Sequence, residues 1–180
     1  AVGQLGAAHL EDAQYYATQF NRFLADWDRW ALGDTFGRPE DYFAACLSKM
    51  AGQRTLGLNA IRANPNFVGY SVTGTVDQGM TGEGLTTTFR EMKPGTFEAM
   101  YDGFAPLRWC LFAEPAHLYP GETVRFDAVL ANEDALPPGT YPARFRVFGP
   151  NQETVFDETV DVVIAAPENG QEPPLALPVL

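Results

Sequence analysis

The hydrophobic period of the chain changes at Pro106, and no single repeat unit satisfies both sides of that change. From about Ala7 to Ala31 the residues Leu10, Ala13, Ala17, Phe20, Leu24, Trp27 and Ala31 recur at steps of three and four. That spacing lays one apolar stripe along a helix. GDTFGRPE breaks it, and Pro39 then stands where a first helical turn tolerates proline. Tyr42, Phe43, Cys46, Leu47 and Met50 resume the spacing, predicting a second helix to about Arg62 with a weak point at Gly52 or Gly57. Asn64-Pro65 stops it, because a residue before proline is pushed out of the α region.

Past Pro106 the period is two. Val124, Phe126, Ala128 and Leu130 alternate with Arg125, Asp127 and Val129, and Ala143, Phe145 and Val147 alternate with Arg144, Arg146 and Phe148. Val160, Val162 and Ile164 alternate with Thr159, Asp161 and Val163. The turn signals YPGE, NEDALPPGT and GPNQ separate these runs. With Leu107 to Ala113 as a first strand, the half reads as an incomplete, antiparallel, immunoglobulin-like β-sandwich. PPLALPVL reads as the approach to a fifth strand. The expected class is therefore α+β: a helical segment over 1–105, a sandwich over 106–166 and a Pro-rich apolar tail over 167–180.

Between the halves, NPNFVGYSVTGTVDQGMTGEG rises through an apolar, β-rich run to Asp77 and breaks into a glycine loop. Phe67 to Val76 is β-rich and carries no charge on either face, the habit of a strand covered on both. Helical stretches are expected after it at Leu85 to Met92 and Thr96 to Tyr101. The loop is no phosphate cradle. A Walker loop needs a following Lys and Ser or Thr, a dinucleotide loop needs GxGxxG, and Glu83 opposes phosphate. Two readings of its carboxylates stay open. Asp77 and Glu83 are a pair of the kind glycoside hydrolysis uses, about 5–5.5 Å apart for retention or 6.5–9.5 Å for inversion. Alternatively Asp77 caps a turn and Glu83 begins or caps a helix.

Charge and composition narrow the partners. A net charge of −11, spread along the chain, repels nucleic-acid backbones and anionic membrane surfaces. No apolar segment approaches the roughly 20 residues that span a bilayer, and no basic stretch leads an apolar one in the manner of a secretory leader. Cys46 and Cys110 fit two buried free thiols, and with His9 and His117 the only histidines, a metal site is not expected. No cofactor motif is present. Ser48, Ser71 and Cys46 lack a nucleophile elbow. Tyr70, Trp109 and Phe112 could stack on sugars, although Trp109 on a first sandwich strand reads as core.

In wording, NPNFVGYSVTGTVDQGMTGEGL, then FREMKPGTFEAMYDGFAPLRWCLF, then AVLANEDALPPGTYPARFRVFGP resembles the carboxyl-terminal part of bacterial enzymes of glycoside hydrolase family 2. That is the β-galactosidase-like group, in which an immunoglobulin-like sandwich follows the catalytic barrel. The resemblance covers about Asp41 to Ile164. It implies that Asn66 to Asp77 is the last barrel strand and that Gln78 to Gly84 is the loop after it. It also implies that both catalytic glutamates of a retaining hydrolase lie upstream of Ala1. No residue here inherits a catalytic role, and Asp77, Gln78 and Glu83 inherit at most a place in the substrate-lining wall. The chain alone is then expected to be catalytically silent, with carbohydrate the ligand of the intact parent and both ends of the chain cut. The compartment, bacterial cytoplasm or periplasm, stays open. The competing expectation is a carbohydrate-binding or protein-interaction sandwich module. Either way, uncovered strand edges lead us to expect a homo-oligomer.

Overall fold

A computed structural model of the chain describes residues 11–78, 81–168 and 174–180. It is α+β, with helices α1 (Glu11–Arg29), α2 (Gly33–Phe36), α3 (Pro39–Arg62) and α4 (Thr96–Gly103). Five strands follow: β1 (Leu107–Glu114), β2 (Arg125–Asn132), β3 (Gly139–Phe148), β4 (Thr154–Ile164) and β5 (Ala176–Pro178). The strands form two small antiparallel sheets, one ordered β1-β2-β5 and the other β3-β4. Together they make an incomplete sandwich. Packing divides the chain into two units, one of Ala1–Gly52 with Val72–Glu98, the other of Gln53–Ser71 with Ala99–Leu180.

In the first unit a nest of rings joins Trp27, Tyr42 and Phe43 of the stripes read in the sequence to Phe23 and Phe36 from outside them. Phe23 of α1 meets Phe43 of α3 at 5.0 Å between centroids, and Phe36 of α2 stands edge-on to Tyr42 at 5.0 Å. Trp27, buried, touches Phe23, Phe36 and Tyr42. Such ring pairs add to the area they bury because edges and faces carry opposite charge. α3 begins at Pro39, as the sequence requires, and stays helical through Gly52 and Gly57. Cys46 is exposed on it, so only Cys110 is the buried thiol expected of both.

Two expected elements are absent. Phe67 to Val76 forms no strand; its single β contact is an isolated bridge from Val76 to Thr86, and Val68 is fully exposed. A β-rich sequence satisfies its backbone only when a neighbour offers a ladder, and the described residues offer none. Leu85 to Met92 is not helical either. Thr86 bridges both Val76 and Met92, with a tight turn between, where Arg90 N–H donates to Thr87 O at 2.8 Å and Arg90 has φ of 64°. The run Thr86-Thr87-Thr88 accounts for this. β-Branched residues are stiff in a helix, and these hydroxyls bond backbone instead: Thr88 to Asp77 O at 3.1 Å, and Glu91 N–H to Thr87 at 3.2 Å.

In the second unit β1 and β2 pair along their length, from Leu107 opposite Asn132 to Glu114 opposite Arg125. β5 from the apolar tail adds to the other side of β2, with Leu177 opposite Leu130. The two faces of this sheet do different work. On one, Trp109 stands edge-on to Phe145 of β3 at 5.0 Å, which joins the two sheets. On the other, the Arg108 side chain bonds Asn59 of α3, which in turn donates from Nδ2 to Leu111 O at 3.0 Å. β3 keeps the alternation read from the sequence, Tyr141, Ala143, Phe145 and Val147 half-buried and their neighbours exposed. Cys110, Ala128, Leu130, Ala131, Val162, Ile164 and Ala176 form the core.

One close approach fixes α4 against α3 in this unit. A Cβ on Gly103 would fall 2.3 Å from Leu58 Cδ1, and Leu58 is only 4% exposed, so it cannot step aside. Gly103→Ala is therefore expected to lower stability by about 1–3 kcal/mol, the usual cost of overpacking, read as the shift of the urea midpoint. An unchanged midpoint would mean that the Leu58 side chain reorients at little cost.

Candidate functional site

The loop after Asp77 is built by three short segments laid together in the first unit. Thr75 O accepts from Leu85 N at 2.9 Å and Thr86 N at 3.1 Å, Asp77 N donates to Thr86 O at 3.0 Å, and Lys93 N donates to Leu85 O at 3.1 Å. These bonds bring Asp77 and Lys93 together although sixteen positions separate them. The Lys93 ammonium bonds Asp77 Oδ1 at 2.7 Å and Gly82 O at 2.6 Å. Gly84 N–H donates to the same Oδ1 at 2.8 Å. The side chains are 7% and 15% exposed, so the pair sits largely out of water.

Glycine is required at 84 for a steric reason. A Cβ there would lie 2.5 Å from Asp77 N and 2.7 Å from Val76 C. Gln78 and Thr81 close a second, smaller turn, in which Thr81 N–H donates to Gln78 O at 2.8 Å and Thr81 Oγ1 to the same oxygen at 3.0 Å. Beneath the loop, Thr96 is wholly buried and donates from Oγ1 to Lys93 O at 2.9 Å. Tyr16 of α1 shares a hydrogen bond with Thr88 at 3.0 Å.

The residues singled out in the sequence therefore have different positions. Asp77 is the inner anchor of the loop, its Oδ1 occupied by an ammonium and a backbone N–H. That is the work of a group that holds a turn. Gln78 and Glu83 are exposed on the loop, and Glu83 lies beside Gly74. No helix starts at Glu83, contrary to one of the two readings. Gly79, Met80 and His9 lie outside the described residues.

Lys93 is the residue that sequence reasoning missed. In FREMKPG it is a lone cation before a proline, and no spacing rule links it to Asp77. Among the aromatics, Trp109 is half-buried against Phe145, Tyr70 stacks on Phe104 at 5.3 Å, and Phe112 is half-buried on β1. Among the described residues no group of three or more His, Cys, Asp or Glu could hold a metal ion, and no helix is long and apolar enough to cross a membrane.

Removing one partner of a buried ion pair leaves the other charge without compensation, a loss of roughly 3–5 kcal/mol in buried cases. Lys93→Met is expected to cost about 3 kcal/mol by chemical denaturation. In the double variant with Asp77→Asn the cost is expected to fall below the sum of the two single losses. Simple additivity would show that the two side chains do not act as a pair.

Set beside models of known protein families, curated proteins and solved structures, the chain matches none of them.

Proposed function

We propose that this chain is the carboxyl-terminal part of a glycoside hydrolase of the family 2, β-galactosidase-like group. In this reading it contributes a substrate-lining loop and a sandwich to an enzyme whose two catalytic glutamates are encoded upstream. The observation that carries the reading is the loop from Asp77 to Gly84. It is held from inside by the Lys93–Asp77 pair and leaves Gln78, Thr81 and Glu83 exposed. A loop fixed from within can present polar groups to a sugar without losing much freedom on binding. The long ordered resemblance from Asn64 to Pro150 supplies the family.

The reading is tested by expressing the chain alone and the full reading frame that contains it. On a panel of nitrophenyl glycosides the chain alone is expected to show no turnover above buffer, and the full product to be active. In the full product Glu83→Gln is expected to raise KM while leaving kcat nearly unchanged, the signature of a group that binds ground and transition states alike. A full product inert on every glycoside overturns the proposal. So does turnover by the chain alone that survives repurification and disappears in Asp77→Asn.

Self-association belongs to the same proposal. Within the second unit the two sheets leave a gap of about 700 Å³ beside Leu111, Phe126, Val147, Val155, Phe156 and Leu180. Leu111, Phe126 and Val155 are 55%, 48% and 67% exposed there. Apolar surface beside uncovered strand edges favours pairing with another chain. Light scattering coupled to size exclusion at micromolar concentration is expected to give a dimer or higher oligomer, and a monodisperse species of 19.7 kDa refutes it.

A further inference from the structure

We propose that Arg62, Arg108 and Tyr70 in the second unit form a binding site for a small oxyanion, a carboxylate or a phosphate. The proposal is independent of the hydrolase reading. It starts from charge. The chain carries a net charge of −11, and Arg108 bonds Asn59, three positions before Arg62 on α3. Arg62 has a side chain 11% exposed. Its Nη1 donates to Gly103 O at 2.8 Å. Its Nη2 lies 3.1 Å from Glu133 Oε1 but makes no hydrogen bond to it. Arg108 gives Nη2 to Asn59 Oδ1 and has no ion pair among the described residues. Arg62 Nη2, Arg108 Nε and Nη1, and Tyr70 Oη are all buried and without a hydrogen-bond partner.

These leftover groups point to one kind of ligand. The guanidinium N–H groups can only donate, and the Tyr70 hydroxyl is free to donate with them. A buried charge without compensation is costly, and an unmade buried hydrogen bond adds to the cost. A neutral water could take some of the bonds but not the charge. Burial pushes the Tyr70 hydroxyl and the Cys110 thiol up from their usual ranges, and Arg62 and Arg108 each pull both back. Glu133 is the carboxylate at hand, and it is half-exposed at the rim. Arg62 and Tyr70 also line a groove of about 540 Å³ with Phe67, Val68, Phe104 and Glu133, which gives an approach from solvent.

The test is isothermal titration of the whole chain with sodium acetate and, separately, sodium phosphate at fixed ionic strength. Saturable binding of at least one anion is expected, and the stronger of the two identifies the oxyanion class. Arg108→Gln is expected to weaken it by about tenfold or more, the worth of one charge-assisted hydrogen bond. Tyr70→Phe keeps the ring on Phe104 and is expected to weaken binding several-fold; it decides the matter if Arg108→Gln does not fold. Arg125→Gln, at an exposed arginine paired with Glu114 and Asp127, is the control and is expected to bind as the parent does. No saturable heat with either anion overturns the proposal, since water alone then fills the site. Affinities unchanged in Tyr70→Phe and Arg108→Gln overturn it too, because the anion then binds elsewhere.

Discussion

The β1–β2 ladder is the constraint on which the second unit rests. β5 extends it beyond β2, α3 reaches one face through Asn59, and the β3–β4 sheet meets the other through Trp109 and Phe145. Cys110, Ala128, Leu130 and Ala131 are buried because they belong to this ladder and are covered from above and below. Their apolar surface gives the driving force, at about 25 cal/mol for each Å² removed from water. The ladder satisfies the backbone groups that burial would otherwise strand.

The first unit is organised by polar rather than apolar closure around its loop. An ammonium with two acceptors and a carboxylate with two donors are matched in geometry as well as charge. That matching is what makes a largely buried pair tolerable. Hydroxyls of Thr81, Thr86, Thr88 and Thr96 complete the arrangement by bonding backbone oxygens. Around Asp77 and Lys93 a stretch with neither helix nor ladder is thereby tied together by hydrogen bonds.

Between the two sheets the packing is partial. The Trp109–Phe145 contact is flanked by gaps of about 700 and 450 Å³, far from the close packing of a finished interior. Large apolar residues around the first gap keep much of their surface exposed. A sandwich with a three-strand and a two-strand sheet has too few side chains to fill the space it encloses. The same shortage of partners leaves Phe67 and Val68 uncovered.

Much of this was legible in the sequence because the signals were local. The three- and four-residue steps through Phe20, Trp27 and Tyr42 gave α1 and α3, Pro39 and Asn64-Pro65 bracketed α3, and alternation gave the sandwich strands within a few residues. Even β5 followed from the short apolar tail, since hydrophobic period and turn chemistry act within a few positions of chain. What failed depended on distant partners. Phe67 to Val76 has the composition of a strand, but a strand exists only where another offers hydrogen bonds. Leu85 to Met92 has apolar spacing for a helix, but its threonines found backbone oxygens across the loop. The sequence by itself determined the class, the order of elements and the exposed polar loop. Only the tertiary structure decided that Lys93 closes on Asp77, that Arg108 reaches Asn59 of α3, and that Cys46 faces water. Those outcomes depend on which groups meet across tens of residues, and electrostatic and packing energies act through distance in space, not separation along the chain.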